Sequence, residues 1–321
     1  MTADAQSPIF TDDNAAREAL EAVRWPNGPV CPHCGNVNQA KIARVEGTKR
    51  THRPGLYYCN ECKGQFTVTV GTVFERSKIP LSKWWFATHL LNSSKKGISA
   101  HQMHRMLGVT YKTAWFMMHR IREAMRTEGM APMGGEGQIV EADETYFGKA
   151  EVSRVSPQRK GRPYNPRGSR GPKDKRPILA LVERGGRVRT FHVPVADQAS
   201  VQKIVRENIA RESRLHTDES RLYFGSDAHF ASHETVKHTA KEYARGDVTT
   251  NSVEGYFSIF KRGMKGVYQH CKEKHLHRYL SEFDFRYNNR IALGVNDGER
   301  AALAMKGIEG KRLTYRPTDE A

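Results

Sequence analysis

Three carboxylates stand where a fold can bring them together. Asp143 lies in Ile139-Val140-Glu141-Ala142-Asp143-Glu144-Thr145-Tyr146, a run that alternates apolar and polar residues as a half-buried strand does. Asp218 follows Ser213-Arg214-Leu215-His216-Thr217 at the expected end of another strand, and Glu254 sits in the first turn of a strong helix. Hard divalent cations take oxygen ligands that converge from separate elements. Two such ions about 4 Å apart activate water and stabilise the leaving oxygen of a phosphodiester. A pair of Mg²⁺ or Mn²⁺ ions on Asp143, Asp218 and Glu254 is the chemistry these residue types allow.

Each acid has a plainer reading. Glu141 shares a strand face with Asp143 by alternation, while Glu144 faces the other way. Asp227, in Gly225-Ser226-Asp227, also follows an apolar run and competes with Asp218. Asn251-x-x-Glu254 has the form of a capping box, in which Glu254 would reach back to its own helix end. Against that, Val253, Phe257, Phe260 and Met264 form a stripe that would bury the helix on a sheet and hold Glu254 at the sheet's edge. His233 and His238 fall five residues apart, so they do not share a helical face as a zinc-protease pair would. They are expected to be structural or DNA-facing.

Four cysteines imply a second metal chemistry. Cys31-Pro32-His33-Cys34-Gly35 and Cys59-Asn60-Glu61-Cys62-Lys63-Gly64 are two Cys-x-x-Cys knuckles with 24 residues between them. Four thiolates so spaced fit a tetrahedral Zn²⁺ whose closed shell leaves no position for water, so the ion would be structural. The following glycines let backbone amides turn toward the sulfurs. A hairpin from Lys41 to Tyr58 would absorb the intervening chain. Redox dithiols would need a surrounding βαβ pattern, which the sequence lacks. Cys271 remains as a structural thiol.

The elements that must position these groups can be read in order. Residues 1–22 form an acidic lead-in with one amphipathic segment, 23–75 the zinc ribbon, and 76–130 a helical region. Within it, Ser99 to Trp115 gives a short helix, a Gly108 turn and a second helix opening on small polar residues, the pattern of a helix-turn-helix. Tyr111, Lys112 and Thr113 would face base edges, with Arg120, Arg122 and Arg126 nearer phosphates. Ala131 to Gly137 has linker composition. Residues 136–295 then read as strand, hairpin strands, helix, strand, helix. Residues 150–176 interrupt them as a basic loop with nine Lys or Arg and four Pro from Arg154 to Arg176. After Glu254, Lys261, Arg262, Lys265 and Lys272 stand with Tyr268 and His270 on a surface suited to a phosphate backbone. Residues 296–321 read as a tail.

Around the acids stand Thr250-Asn251-Ser252-Val253-Glu254, Phe260-Lys261-Arg262-Gly263-Met264-Lys265-Gly266 and Glu282-Phe283-Asp284-Phe285-Arg286-Tyr287-Asn288. Over roughly residues 25 to 292 the chain resembles bacterial insertion-sequence transposases of the DDE type, in the subgroup with a zinc ribbon ahead of a ribonuclease-H-like domain. The resemblance implies a multidomain α/β protein comprising zinc ribbon, helix-turn-helix and a ribonuclease-H-like mixed-sheet catalytic domain. In that fold the first acid sits on strand one and the second just after strand four. The family's Asp-Glu-Thr-Tyr selects Asp143, and its Asp followed by a Tyr prefers Asp218, with Tyr223, over Asp227. The implied activity is binding of the element's terminal inverted repeats, metal-dependent cleavage, and joining of the freed 3′-hydroxyl to target DNA, with Asn251 positioning DNA or the metal-bound water.

Composition agrees with that partner. The formal charge is +17, and a polyanion such as double-stranded DNA accounts for a positive excess spread along a whole chain. Joining two ends calls for at least a homodimer on DNA. With no apolar run near membrane-spanning length and no signal peptide, a cytoplasmic protein is expected. The rival reading is a DNA-binding regulator whose transposase-like domain is catalytically silent; another is a nuclease that cuts without joining.

Overall fold

The first α-helix is α1 (Asp13–Arg24), where Asp12 accepts the Asn14 amide and Ala16 and Leu20 are wholly buried. The structure is a computed structural model and describes residues 6–46, 54–127, 129–150 and 175–314. Two compact units emerge, one formed by the chain to Arg126 together with the segment after Asn288, the other by Thr127–Asn288.

In the first unit three short strands, β1 (Ile42–Arg44), β2 (Tyr57–Cys59) and β3 (Gly64–Phe66), pair antiparallel in sequence order. Tyr57 stacks on Phe66, and Trp25 meets both rings edge-on, which gives this small sheet an aromatic floor. Helix α2 (Leu81–Ser93) buries Trp84, Trp85, Ala87 and Leu91, and the Trp85 indole donates to the Ala16 carbonyl at 2.9 Å, tying α2 to α1. Then α3 (Ala100–Leu107) stops at Gly108, whose φ of 61° is a left-handed end that glycine takes without strain. Thr110 caps α4 (Tyr111–Met125), so α3 and α4 are joined by a three-residue turn.

The second unit is built on β4 (Ile139–Lys149), which pairs antiparallel with β5 (Lys175–Glu183); β5 pairs in turn with β6 (Val188–His192). After α5 (Gln198–Asn208), β7 (Arg214–Asp218) returns parallel to β4, and β8 (Ser232–Val236) lies parallel to β7. The order is β6-β5-β4-β7-β8. An antiparallel meander with two parallel strands added on the far side of the first is the ribonuclease-H-like arrangement. A small hairpin, β9 (Ala244–Arg245) and β10 (Val248–Thr249), leads into α6 (Asn251–Gly263), which runs on as a π-helical turn to Tyr268 before α7 (Leu276–Asn288).

Period-two alternation along β4 and β5 divides the core in two. One face carries Phe147, Ile178, Ala180 and Val182 against Val253, Phe257, Phe260 and Met264 of α6 and Leu276, Leu280 and Phe283 of α7, with Cys271 packed at its margin. The other carries Val140, Ala142, Leu179 and Leu181 against Val201 and Val205 of α5.

The amphipathic segment of the lead-in is helix α1, which buries its apolar stripe on α2. Other expectations change. Residues 296–306 do not read as a tail: α8 (Asp297–Lys306), begun by an Asn296/Glu299 capping box, packs on α2 and α4, with Ala301, Ala304 and Met305 buried. The linker at 131–137 is partly built in, since Met133 is buried and bridges to Ile209. Strand β8 had no sequence signal, because Ser-His-Glu-Thr-Val is an edge strand with one buried apolar residue. The basic loop lies outside the described residues, apart from its ends. No described helix is long and apolar enough to cross a membrane.

Candidate active site

The register of the sheet decides where the acids stand. In the parallel ladder Val140 pairs Leu215 and Glu141 pairs His216. Two residues beyond that last pair, Asp143 of β4 and Asp218 at the end of β7 stand at corresponding positions on the same face. Asp143 lies opposite Ala180 of the face that α6 covers. Glu254 is one turn into α6, and helical side chains lean toward the N-terminus, so its carboxylate points back to the end of the helix. There Thr250 donates its hydroxyl to Glu254 Oε1 at 3.0 Å.

The acidic charges bear on Asp143. Burial pushes the Asp143 carboxyl up to about 8, with Glu144, Asp218 and Glu254 adding repulsion. Asp218 is raised too, first by burial, while His238 opposes the rise. Asp227 is exposed in the turn after Gly225, and the group it acts on is His233. Asp143 Oδ1 accepts the Glu144 amide at 2.8 Å and Asp218 Oδ1 the Ser220 amide at 3.0 Å, leaving the other oxygen of each without a hydrogen bond among the described residues. Half-buried carboxylates that repel and keep oxygens free suit cations.

Two neighbours escaped sequence reasoning. Glu144, on the opposite face, is held by the Tyr223 hydroxyl at 2.9 Å and the Ser220 hydroxyl at 3.2 Å, and burial raises its carboxyl. His238 Nε2 stands 3.5 Å from Glu254 Oε1. The position of Tyr223, five residues after Asp218, was the only signal for the first; the second, expected to be structural or DNA-facing, carried no sign of lying beside Glu254. The expected Asn251–Glu254 capping box does not form. Asn251 is exposed as the first residue of α6, Thr250 makes no side-chain cap, and the free amides of Ser252 and Val253 bind Glu141 instead, at 2.7 and 3.2 Å.

The four cysteines converge. Cys31 and Cys62 sulfurs are 3.6 Å apart, and those of Cys34 and Cys59 are 3.8 Å apart. Sulfurs around a tetrahedral Zn²⁺ stand about 3.8 Å apart, given Zn–S bonds of about 2.3 Å. The Cys62 amide, with the Asn36 side chain and the Glu61 amide, draws the Cys59 thiol down to about 6 against its burial. The cluster fits a structural zinc.

The expected DNA-facing residues divide. Tyr111 and Lys112 are exposed in the first turn of α4, with Tyr111 stacked on His101 at 4.4 Å. Thr113 is half-buried, bonded to the Thr110 cap. Arg120 turns inward: its Nε donates to the Leu313 carbonyl and its guanidinium lies over Phe116. Arg122 is buried, so it cannot meet a phosphate; its stem fills the helical core. Arg126 pairs with Glu123 at 3.2 Å. On the second unit Lys261, Arg262 and Lys265 line an open groove with Ser258 and Gly266, and Arg262 is steadied by the Ser258 hydroxyl at 2.7 Å.

Residues 134–288 match the family of ISXO2-like transposase domains, and residues 11–65 match the transposase zinc-ribbon domain. An uncharacterised protein in transposable element ISH50 of Halobacterium salinarum is 28% identical over 282 residues, 86% of this chain and 91% of that one. An uncharacterised transposase-like protein of Haemophilus influenzae is 27% identical over 103 residues, 32% of this chain and 82% of that one. The crystal structure of a pre-cleavage Mos1 transpososome aligns with 68% of this chain and 73% of that chain at 12% identity, with a TM-score of 0.29.

Proposed function

We propose, for a chain that is a transposase by its zinc ribbon and its ISXO2-like domain, metal-dependent cutting and joining of DNA at the terminal inverted repeats of its mobile element. The observation that carries the reading is that Asp218 and Glu254 both bear on the half-buried Asp143 at one edge of a ribonuclease-H-like sheet, with oxygens of Asp143 and Asp218 left free for cations. Two bound Mg²⁺ or Mn²⁺ ions would supply activation of the attacking water or 3′-hydroxyl and stabilisation of the departing oxygen.

The chain's own part is to hold and to orient. Asp143 and Asp218 offer carboxylates from adjacent strands, and the apolar seam under α6 keeps Glu254 at a set height above them. Lys261, Arg262 and Lys265 line the groove about two to three turns further along α6 and its π-helical extension and take the phosphate backbone as it leaves the acids. Asn251, exposed at the start of the same helix, orients DNA beside Glu254. Tyr111 and Lys112 lie where a recognition helix meets base edges, and Thr113 sets the helix start. Zinc on Cys31, Cys34, Cys59 and Cys62 keeps the ribbon folded. A hydrolytic route of this kind needs no Ser or Tyr nucleophile. Two ends must meet for joining, so the working form is a homodimer or larger assembly on DNA.

Asp143→Asn tests the reading on a duplex carrying the element's end. Repeat binding should stay within about twofold, while strand cleavage and transfer fall by about a thousandfold or more, as expected when an interaction confined to the transition state is removed. Transfer at the wild-type rate would overturn the assignment, and a wild-type chain that footprints DNA but never cuts under Mn²⁺ would favour the silent regulator.

A further inference from the structure

Strand β4 brings two acids to the face under α6. One is Asp143; the other, Glu141, is wholly buried two residues earlier and takes no place in the metal cluster. We infer that Glu141 and its partner Arg184 are positioning residues that set Glu254 against Asp143, an inference that rests on the metal-site reading above.

The geometry is a helix cap supplied from another element. Glu141 Oε2 accepts the Ser252 and Val253 amides at 2.7 and 3.2 Å, and Oε1 accepts the Ser252 hydroxyl at 3.0 Å. A helix start is ordinarily satisfied by its own Ser, Thr, Asp or Asn. Here Thr250 occupies that place, yet its hydroxyl is turned to Glu254. The third acid therefore holds the local capping group, and the helix amides depend on a carboxylate more than a hundred residues away in the chain, with separations of 111 and 112.

A buried carboxylate needs a cation, and Arg184 provides it. Its Nε and Nη2 donate to Glu141 Oε1 at 3.1 and 2.8 Å. The same guanidinium binds the carbonyls of Asp247 at 2.8 Å and Thr249 at 3.3 Å, the residues that lead into α6. Arg214 grips that segment from the other side, bonding the Asp247 carboxylate at 2.7 Å and Glu234 at 2.7 Å, while His216 lies between, 3.4 Å from Arg184 and 3.2 Å from Glu234. Strand β4 thus fixes the first acid directly and the third through Glu141, so the spacing of two metal ligands is set by the strand's own two-residue repeat of about 6.8 Å.

The test uses the zinc-loaded full chain, with Mn²⁺ as the probe. Binding is read by the loss of the free-ion paramagnetic resonance signal, and cleavage kinetics are read on a repeat-end duplex. E141Q keeps an oxygen for the amides but loses the ion pair; R184A leaves the buried Glu141 without its cation, so the unfolding midpoint of both variants is measured alongside. Each is expected to weaken Mn²⁺ binding by about ten- to a hundredfold, to lower kcat with KM for DNA unchanged, and to regain activity at raised Mn²⁺. A mere loss of stability would move the unfolding midpoint without this split or rescue. If D143N loses the ion while folded E141Q and R184A bind it like wild type, the inference falls and the metal site stands. If D143N also binds Mn²⁺ like wild type, the metal-site reading falls and the inference with it.

Discussion

Asp143 concentrates the tension of the site in one side chain. Its carboxyl is pushed up to about 8 by burial and by the charges of Glu144, Asp218 and Glu254, whereas in the unfolded chain it titrates near 4. Between those values the folded chain holds a proton that the unfolded chain has lost, so the contribution to stability declines as pH rises through the window. Asp143→Asn should therefore stabilise the metal-free protein above about pH 8, by on the order of 2–5 kcal/mol, and have little effect near pH 4. Thermal unfolding across that range checks it. Mg²⁺ should reverse the order, stabilising wild type and not the variant, because a bound cation favours the ionised form.

Helix α6 is the element on which the site turns. Its inner stripe of Val253, Phe257, Phe260 and Met264 is buried against the sheet and α7, with Phe260 meeting Phe147 and Phe283 edge-on at 5.6 and 5.2 Å. Phe260→Ala should cost about 3–5 kcal/mol of unfolding free energy by opening a cavity there, measured by urea denaturation, and should weaken Mn²⁺ binding as Glu254 loses its footing. The ribbon is an element of another kind. Its three strands have three residues each, too few to hold by packing, so removing zinc with a chelator, or Cys59→Ser, should unfold it. Limited proteolysis after Lys41 or Lys63 would register the change, and a ribbon that resists protease without zinc would contradict the structural role.

Across the whole molecule the charge of +17 governs the encounter with DNA. Binding driven by release of phosphate counterions weakens steeply with salt, and each phosphate contact adds to the slope. Replacing Lys261, Arg262 and Lys265 together by alanine should reduce the slope of log K against log salt by about 2 to 3. An unchanged slope would remove the groove on α6 from the DNA path. The described residues of this groove are all on the second unit, while Tyr111 and Lys112 belong to the first, so substitutions in each should be separable in their effects on repeat sequence preference and on general affinity.

By itself the sequence determined what local rules can carry. Two Cys-x-x-Cys knuckles required a common ligand, the stripe of α6 required a sheet beneath it, and Gly108 required a turn between two helices. The alternation of β4 set Glu141 and Asp143 on one face, but could not say that Glu141 would hold the start of a helix. Tertiary structure decided that, because the amides of Ser252 and Val253 come to Glu141 only when β4, the Arg184 corner and the β9–β10 hairpin are assembled. It also turned Arg122 into the core, built a fifth strand from polar residues, and returned α8 to the first unit. Each of these rests on contacts between residues remote in the chain, where burial and the need to satisfy charge outweigh the preferences of any single segment.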